Sequence, residues 1–302
     1  MKQFDHTRRQ DLQTNHPLQI TPIAYRPFDT RYTIYTGKSK GFHCYPRNKV
    51  MQHFLGNDNI GLMVSKQVKA DRTYQHVFVH QAIAESCLVS NKTGEIGYSF
   101  PLFKKVKDKF ESNLSTALCA QLENHLQRKI SDLTNGPPVS LSPYDVFDYV
   151  YGILHATNYR KKYFNLLTSG FPKIPYPKSL EMFQKIVSLG KELRELHLMR
   201  KHLPPQTLFK GDGTNRITKV ISPNSRTSNG MVWINNTQYF CEIPKAAWEM
   251  KIGSYRVTQK WLNDKKRTQS PLGKADIAHY LQIVEILGET HRIIQQLDLA
   301  YQ

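Results

Sequence analysis

The sequence predicts a mixed α/β fold (α+β) with two lobes of mixed sheet and helices, joined by a central helical spacer and a proline-rich strap. Short runs of β-branched and aromatic residues, typical of strands, occur in both the first and the last third of the chain. Apolar residues at helical spacing dominate the middle third, which ends in a proline-rich run. These observations divide the chain into a flexible lead-in over 1–20, an N-terminal α/β lobe over 21–141, the helical spacer with its strap over 142–205, and a C-terminal α/β lobe over 206–302.

The N-terminal lobe contains both strand and helix patterns. β-branched and aromatic runs predict strands at 31–36, 60–65, 76–80, 87–90 and 97–102. A short helix is expected over 47–55 and an amphipathic helix over 114–130. Residues 103–111 show no regular pattern.

The spacer begins with a helix-capping signature, Ser142-Pro143-Tyr144-Asp145. The Ser side chain can accept a hydrogen bond from the first turn, Pro suits that turn, and Asp complements the positive end of the helix dipole. Val146, Val150 and Ile153 recur at helical spacing and predict a buried face. The strap, FPKIPYP at 171–177, cannot be helical, because its prolines fix an extended backbone and lack N–H donors.

After the strap, apolar spacing predicts a helix from Ser179 to about His202, ended by Pro204 and Pro205. The C-terminal lobe is then expected to contain a strand at 216–221, a hairpin of 231–235 with 238–241, a helix at 255–262, an exposed basic turn at 263–267 and a final helix at 276–297.

The charge is strongly basic and unevenly distributed. Lys and Arg outnumber Asp and Glu by 42 to 24, which gives a net charge of +18 and a pI near 9.7. Residues 26–72 hold nine Lys or Arg and three Asp, and residues 251–274 hold seven Lys or Arg and one Asp, so each segment carries +6. Such clustering indicates a nucleic-acid partner rather than a surface that is only kept soluble.

Candidate contact residues follow from this charge pattern. Lys and Arg would neutralise phosphates, and we assign backbone contact to Lys38, Lys40, Arg47, Lys49, Arg256 and Lys260. Side chains in neighbouring loops that can reach base edges are Lys66, Gln67, Arg72, Asn91 and Lys92. Gln can pair bidentately with adenine, and Arg or Lys with guanine. The alternative for any single residue is a solvated surface side chain, so the prediction rests on the set.

Neither metal nor disulfide chemistry is predicted. His76 and His80 lie on one face of a predicted strand, but without a third ligand nearby they are better interpreted as structural histidines. The cysteines form no CxxC pair and are interpreted as reduced thiols: Cys44, Cys87, Cys119 and Cys241.

Several motifs resemble one protein family. The helix pair followed by FPKIPYP resembles the segment that joins the methyltransferase to the target-recognition module in adenine-specific restriction–modification proteins. Other motifs, in the same order along most of the chain, are similar to the C-terminal specificity (target-recognition) region of the single-chain Type ISP restriction–modification enzymes: Tyr25–Tyr32, Tyr239–Pro244, Trp248, Ile252–Leu262 and Asp276–Tyr280.

The resemblance implies that both lobes recognise a target sequence in double-stranded DNA. It places the adenine-specific methyltransferase, translocase and nuclease activities, with their S-adenosylmethionine, ATP and Mg²⁺, in other parts of a larger enzyme. The expected partners are double-stranded DNA and the methyltransferase domain of the same enzyme, and we expect a monomer. Two alternatives remain: a non-specific nucleic-acid-binding protein that stacks bases on some of its 16 tyrosines, or a free-standing DNA methyltransferase or nuclease.

Motifs for catalysis are not recognisable in the sequence. The Asn/Asp-Pro-Pro-Tyr/Phe loop, which holds a flipped adenine in the resembled methyltransferases, has no counterpart among the double prolines, Pro137-Pro138 and Pro204-Pro205. Asp145, Asp148 and Glu192 are interpreted as helix-surface charges rather than as a nuclease site. From these motifs we expect a chain that is not catalytic and has no cofactor of its own. Apolar runs long enough for a membrane span and a secretory signal are both lacking, so we expect a location in the cytoplasm without membrane contact.

Overall fold

The computed structural model describes residues 20–39, 41–69, 73–107, 109–131, 140–221 and 229–302. Within these ranges the helices are α1 Asn48–Met51, a 3₁₀ turn Gln52–Phe54, α2 Thr116–Leu126, α3 Pro143–His155, α4 Thr157–Lys162, α5 Phe164–Ser169, α6 Leu180–His197, α7 Lys245–Glu249, α8 Val257–Thr268 and α9 Lys274–Ala300.

The strands of the described residues are β1 Ile20–Arg26, β2 Asp29–Ile34, β3 Gly61–Ser65, β4 Val77–His80, β5 Ile83–Ala84, β6 Gly97–Pro101, β7 Phe103–Val106, β8 Lys109–Ser112, β9 Leu208–Lys210, β10 Asn229–Trp233, β11 Tyr239–Pro244, β12 Lys251–Ile252 and β13 Tyr255–Arg256. They form three-stranded sheets in the orders β2-β1-β5, β4-β3-β6 and β10-β11-β9, and two-stranded ribbons of β7 with β8 and of β12 with β13. Pairing is antiparallel except between β1 and β5. The predicted mixed α/β fold is confirmed.

Helix α3 begins with the predicted capping box. The Ser142 side chain accepts a hydrogen bond from the Asp145 N–H, and the Asp145 carboxylate accepts one from the Ser142 N–H at 2.7 Å. Ser179 caps α6 in the same way, accepting from the Met182 N–H. The two helices then pack closely, because Gly190 lies directly against the backbone carbonyl of Asp148. A Cβ atom at position 190 would come within 1.9 Å of that oxygen, so only glycine permits this approach.

Helices α3, α6 and α9 pack on one another and contact sheets from both ends of the chain. Phe78 of β4 stacks on His197 of α6, with ring centroids 5.4 Å apart. Phe240 of β11 packs on Tyr280 of α9, with ring centroids 4.5 Å apart. One continuous hydrophobic core therefore runs from the N-terminal sheets through the helices to the C-terminal sheet. The division into lobes at 21–141, 142–205 and 206–302 stays a prediction.

The strap has no helix or strand at 171–177, as its prolines require. Its carbonyl groups are used by tyrosines of the helices it covers. Tyr149 donates to the Pro175 carbonyl at 2.9 Å, and Tyr159 donates to the Lys173 carbonyl at 2.8 Å. These bonds hold the strap on α3 and α4.

Several sequence predictions of individual elements were wrong. Residues 87–90 form turns instead of a strand, because their backbone oxygens accept from a turn of the C-terminal lobe rather than from a neighbouring strand. Residues 216–221 form a single bridge, Ile221 with Trp233, since Thr218 and Lys219 both donate to one carbonyl, that of Ile234. The helix predicted at 255–262 begins two residues later, because β13 precedes it, and it continues to Thr268 through residues 263–267, where a basic turn was predicted. Residues 103–111, which showed no pattern, belong to the β7–β8 hairpin.

Asp148 is also corrected. It is buried, not a surface charge, and Arg194 of α6 donates to both of its oxygens, from Nε at 2.7 Å and from Nη2 at 3.0 Å. Helical spacing alone does not show that α6 covers this face of α3. Arg194 of α6 pairs with the Asp148 carboxylate, and this pairing makes its burial possible.

Candidate nucleic-acid interface

The two basic segments of the chain meet at a turn of the C-terminal lobe. Residues 252–255 insert into the N-terminal lobe, where Gly253 donates to the Gln75 carbonyl at 2.7 Å and Ser254 donates to the Val89 carbonyl at 2.9 Å. The Tyr255 hydroxyl donates to the Cys87 carbonyl at 2.8 Å. This turn fixes the start of α8 against the N-terminal lobe, so that basic residues of both segments face one another.

An open cleft of about 610 Å³ lies at this junction. Its cations come from both basic segments: Arg26, Arg31, Lys260 and Arg267. Its other lining residues are Tyr25, Asn91, Tyr255, Asp264 and Thr268. Members of both basic segments therefore line the same surface.

Aromatic rings order the cations of the cleft. The guanidinium of Arg31 lies 3.6 Å from the centre of the Tyr25 ring, and that of Arg26 lies 3.9 Å from it. Lys260 and Arg26 each lie 5.6 Å from the Tyr255 ring. Cation–π contacts of this kind restrict long basic side chains without neutralising their charge.

Carboxylates hold three of these cations from the side. Arg26 is paired with Glu85, Arg31 with Asp29 at 3.0 Å, and Lys260 with Asp264. Arg267 lies 3.6 Å from Asp264 and is largely exposed. Glu85, Asp29 and Asp264 offset three of the four cations, which leaves a net charge of +1 and favours an anionic ligand near the largely exposed Arg267.

Ionisation of the central residues is fixed by their surroundings. Partial burial of Arg26 opposes its charge, but Tyr255 and Glu85 more than offset this, so the pKa of the guanidinium is raised. Burial raises the pKa of Tyr255, which keeps its hydroxyl protonated as the donor to Cys87. The cleft is thus cationic at any physiological pH.

Two loops beside the cleft carry the predicted base-reading residues, and one buried carboxylate joins them. Glu95 accepts from the Lys69 N–H at 2.9 Å and from the Ser90 hydroxyl at 2.8 Å. Its carbonyl accepts from the Ser65 hydroxyl at 3.1 Å. Ser90 in turn accepts from the Lys92 N–H at 3.2 Å. The loop after β3 and the loop at 90–95 are therefore fixed to each other.

The predicted base-reading residues are accessible on these loops. Lys66, Gln67 and Asn91 are exposed, and Lys92 is half-buried. Asn91 lines the cationic cleft together with Lys260, so the structure joins one predicted base contact to one predicted backbone contact. Lys66 points toward the ring of Phe171 at 5.8 Å, at the start of the strap.

The other predicted backbone contacts are spread over neighbouring surface. Lys38, Arg47, Lys49 and Arg256 are exposed. Arg47 precedes α1 in a left-handed conformation, φ 51°, and lies 5.8 Å from the ring of Tyr45. Lys40 and Arg72 fall outside the described residues.

Sequence reasoning did not select Tyr25, Arg26, Arg31, Tyr255 or Arg267, although all five line the cleft. A signal was present, because Tyr-Arg neighbours recur at 25–26, 31–32 and 255–256. Alternation of basic and aromatic residues is typical of nucleic-acid-binding surfaces. The spacing alone could not show that positions 230 residues apart come together.

The histidines that sequence reasoning considered as metal ligands have structural roles. His76 pairs with the buried Glu95 at 3.0 Å. His80 donates from Nδ1 to the Ala82 carbonyl at 2.8 Å and therefore accepts from the Ser99 hydroxyl at Nε2, also at 2.8 Å. Within the ranges that the structure covers, no three His, Cys, Asp or Glu side chains cluster as metal ligands. Among the same residues no helix is both long and apolar enough to cross a bilayer.

Solved structures with a similar fold include two Type ISP restriction–modification enzymes and a third protein, each in complex with DNA or a DNA mimic. The Type ISP enzyme LlaBIII bound to DNA is similar with a TM-score of 0.72 and 20% identity, over 94% of this chain and 19% of that one. A DrdV–DNA complex is similar with a TM-score of 0.73 and 21% identity, over 95% of this chain and 29% of that one. A nuclease-deletion mutant of the Type ISP enzyme LlaGI, in complex with a DNA substrate mimic, is similar with a TM-score of 0.66 and 18% identity, over 91% of this chain and 20% of that one. The chain thus spans less than a third of each.

The sequence itself defines the family. Residues 2–296 match the model of the Type ISP C-terminal specificity domain, and the chain belongs to that family. The resemblance predicted from the motifs is confirmed. The family describes the specificity part of these enzymes rather than a catalytic part. A search of curated proteins finds no match.

Proposed function

We propose that this chain recognises a target sequence in double-stranded DNA on behalf of a Type ISP restriction–modification enzyme. The observation that carries the proposal is the cleft in which Arg26 and Arg31 of one basic segment meet Lys260 and Arg267 of the other. Cations that alternate with aromatic rings suit a sugar–phosphate backbone. A cleft of about 610 Å³ takes a short piece of one strand rather than a whole duplex.

Binding to this cleft would set the register of the DNA. The exposed loops that carry Gln67 and Asn91 then lie beside the bound backbone, because Asn91 is itself part of the cleft wall. Amide side chains at such positions can pair with base edges. Affinity would come mainly from the cleft and sequence preference mainly from the loops.

The remaining activities belong, in this proposal, to other parts of the enzyme. Adenine methylation, translocation and cleavage, with S-adenosylmethionine, ATP and Mg²⁺, would reside in segments that this chain does not contain. Its partners would be double-stranded DNA and the methyltransferase domain, and the chain would act as a monomer within the enzyme in the cytoplasm.

Selection from a pool of random duplexes tests the proposal. The chain should enrich one sequence motif and bind it at least about 10³-fold more tightly than random duplex of equal length. Enrichment without any motif would instead support the alternative of a non-specific nucleic-acid-binding protein. The enzyme alternative predicts that the chain alone binds S-adenosylmethionine, which calorimetry measures directly, and we expect no binding.

A further inference from the structure

The β7–β8 hairpin stands out from the body of the protein as a two-stranded ribbon. Residues 104–107 and 109–111 are all exposed, although they alternate between the two faces of the ribbon. The apolar side chains of Val106 and Phe110 are 42% and 45% exposed. Most antiparallel sheets cover at least one face, so both faces of this ribbon are open to a partner.

The base of the ribbon is firmly anchored. The side chain of Asn59, 4% exposed, donates to the Phe103 carbonyl at 2.7 Å and accepts from the Phe103 N–H at 3.1 Å. Asn113 donates from its backbone to the Leu102 carbonyl and from its side chain to the Pro101 carbonyl, both at 2.8 Å. These bonds fix the base of the ribbon on the body of the protein.

The ribbon is basic, because residues 104–111 hold four lysines against two acidic residues, Asp108 and Glu111, a net charge of +2. Lys104, Lys105, Lys107 and Lys109 lie within six positions, and Lys107 sits at the tip with φ 54°. Glu111 is the cross-strand neighbour of Lys104, but within the described residues no ion pair engages any of these four lysines. Lysines that make no ion pair with another described residue, on both faces of the ribbon, favour a polyanionic partner.

The ribbon also adjoins predicted backbone contacts. The Lys105 N–H donates to Nδ1 of His53 at 3.0 Å, and His53 follows α1, which carries Lys49. Partial burial and the charge of Lys104 lower the pKa of His53. The basic surface that begins at Arg47 therefore continues onto the ribbon.

We infer that the β7–β8 ribbon enters the major groove of the duplex that the specificity domain binds. The major groove of B-DNA admits a two-stranded ribbon, whereas the minor groove is only about 6 Å wide. Lys104 and Lys109 lie on one face of the ribbon and Lys105 on the other, so they would reach the phosphates on both walls of the groove. The inference rests on the proposed function, because it requires duplex binding.

Charge removal on the ribbon provides the test. The full chain with K104Q, K105Q, K107Q and K109Q is compared with wild type and with a control that removes four exposed lysines of the helices and strap, K161Q, K173Q, K185Q and K191Q. Binding to a 30-base-pair duplex is measured by fluorescence anisotropy over a range of salt. Each phosphate contact contributes about 0.9 to the slope of log affinity against log salt concentration. The slope should therefore be smaller by about 3 to 4 for the ribbon variant, and its Kd should rise at least about tenfold.

A modified duplex then identifies the groove. Glucose attached to 5-hydroxymethylcytosine fills the major groove, so wild type should bind this duplex more weakly and the ribbon variant should lose little further affinity. Equal salt slopes for the ribbon and control variants would overturn the inference while the proposed function stands. Equal sensitivity of wild type and ribbon variant to glucosylation would overturn the groove assignment. Absence of duplex binding by wild type would overturn the proposed function, and the inference with it.

Discussion

Gly253 lies against the backbone carbonyl of Val89, so closely that a Cβ atom at position 253 would come within 1.7 Å of that oxygen. Its φ of +58° is also in the left-handed region that favours glycine. The contact joins residues 164 positions apart and brings Lys260 and Arg267 of α8 to face Arg26. Glycine at position 253 thus permits the close contact that places the start of α8 beside Arg26.

Replacing Gly253 with alanine should destabilise the protein and weaken duplex binding together. The left-handed conformation costs an alanine about 1–2 kcal/mol, and relief of the clash with Val89 costs a similar amount or more. We expect the free energy of unfolding in urea to fall by about 2–4 kcal/mol. Gly288→Ala is the matched control: it lies in helix α9 with open space around its Cβ position, so alanine should stabilise by about 0.5–1 kcal/mol. Equal stability of the two variants would contradict this account of the turn.

Lys260 and Asp264 should have opposite effects on DNA affinity. Lys260→Ala removes a cleft cation, so binding should weaken evenly for all sequences and the salt slope should decrease by about one. Asp264→Asn removes the carboxylate that holds Lys260 and approaches Arg267, so affinity should rise. Anisotropy titrations against two unrelated duplexes measure both effects. A change confined to one duplex would show that Lys260 reads sequence rather than backbone.

Gln67 should influence which base is preferred rather than how strongly all duplexes bind. It is exposed on the loop fixed by Glu95, and an amide can pair bidentately with adenine. Gln67→Ala should relax the preference at one position of the selected motif by about 1–3 kcal/mol. Gln184→Ala, an exposed glutamine on α6, is the control and should leave the motif unchanged. A uniform loss over all sequences would remove Gln67 from the base-reading set.

The sequence predicted the helical part of the fold well because its signals are local. Ser142 and Asp145 form the cap that their spacing indicates, and the apolar stripe of α6 is buried as expected. Strand predictions failed where partners are distant: Val89 looks like a strand residue, but its carbonyl accepts from Ser254 of the other lobe. The β7–β8 hairpin was missed because exposure on both faces leaves no alternation of apolar and polar residues.

The candidate site was only partly predictable for the same reason. Charge clustering identified the two segments, and Lys260 and Asn91 do share the cleft. Tyr25, Arg26 and Arg31 form it with them only because the turn at Gly253 closes a long-range contact that spacing does not encode. The predicted roles of these residues, backbone contact or base reading, stay predictions.

Acid should destabilise the protein through its buried histidines. Burial lowers the pKa of His80 to about 4 and that of His197 to about 3. The charge of Arg160 further lowers the second value, and the Tyr151 hydroxyl and Thr290 hold His197 neutral by hydrogen bonds of 2.6 and 3.0 Å. The folded pKa lies below the unfolded value near 6.5, so the unfolded state binds more protons between these values.

The stability that these two neutral histidines allow is therefore fully present above pH 6.5 and is lost as the pH falls toward 4. Each of these histidines should contribute a slope of about 1.4 kcal/mol per pH unit in that window. Urea unfolding at several pH values measures the total slope, and His80→Gln should reduce it by about that amount. An unaltered slope in the His80 variant would mean that this imidazole is already charged in the folded state.

The buried pair of Asp148 and Arg194 should be costly to break and much less costly to replace. Both side chains are almost inaccessible, at 1% and 5% exposure, and the bidentate contact satisfies each charge. Asp148→Ala leaves a buried guanidinium without its main partner, so we expect a loss of about 3–5 kcal/mol in the free energy of unfolding. The double variant D148L/R194M removes both charges and fills the space with apolar groups, so it should recover most of that loss. Lys129→Ala breaks an ion pair with Glu123 in which the lysine is 85% exposed, so it should change the free energy of unfolding far less than Asp148→Ala does. If the double variant is no more stable than Asp148→Ala, the pair contributes specific geometry between α3 and α6 that apolar packing cannot supply.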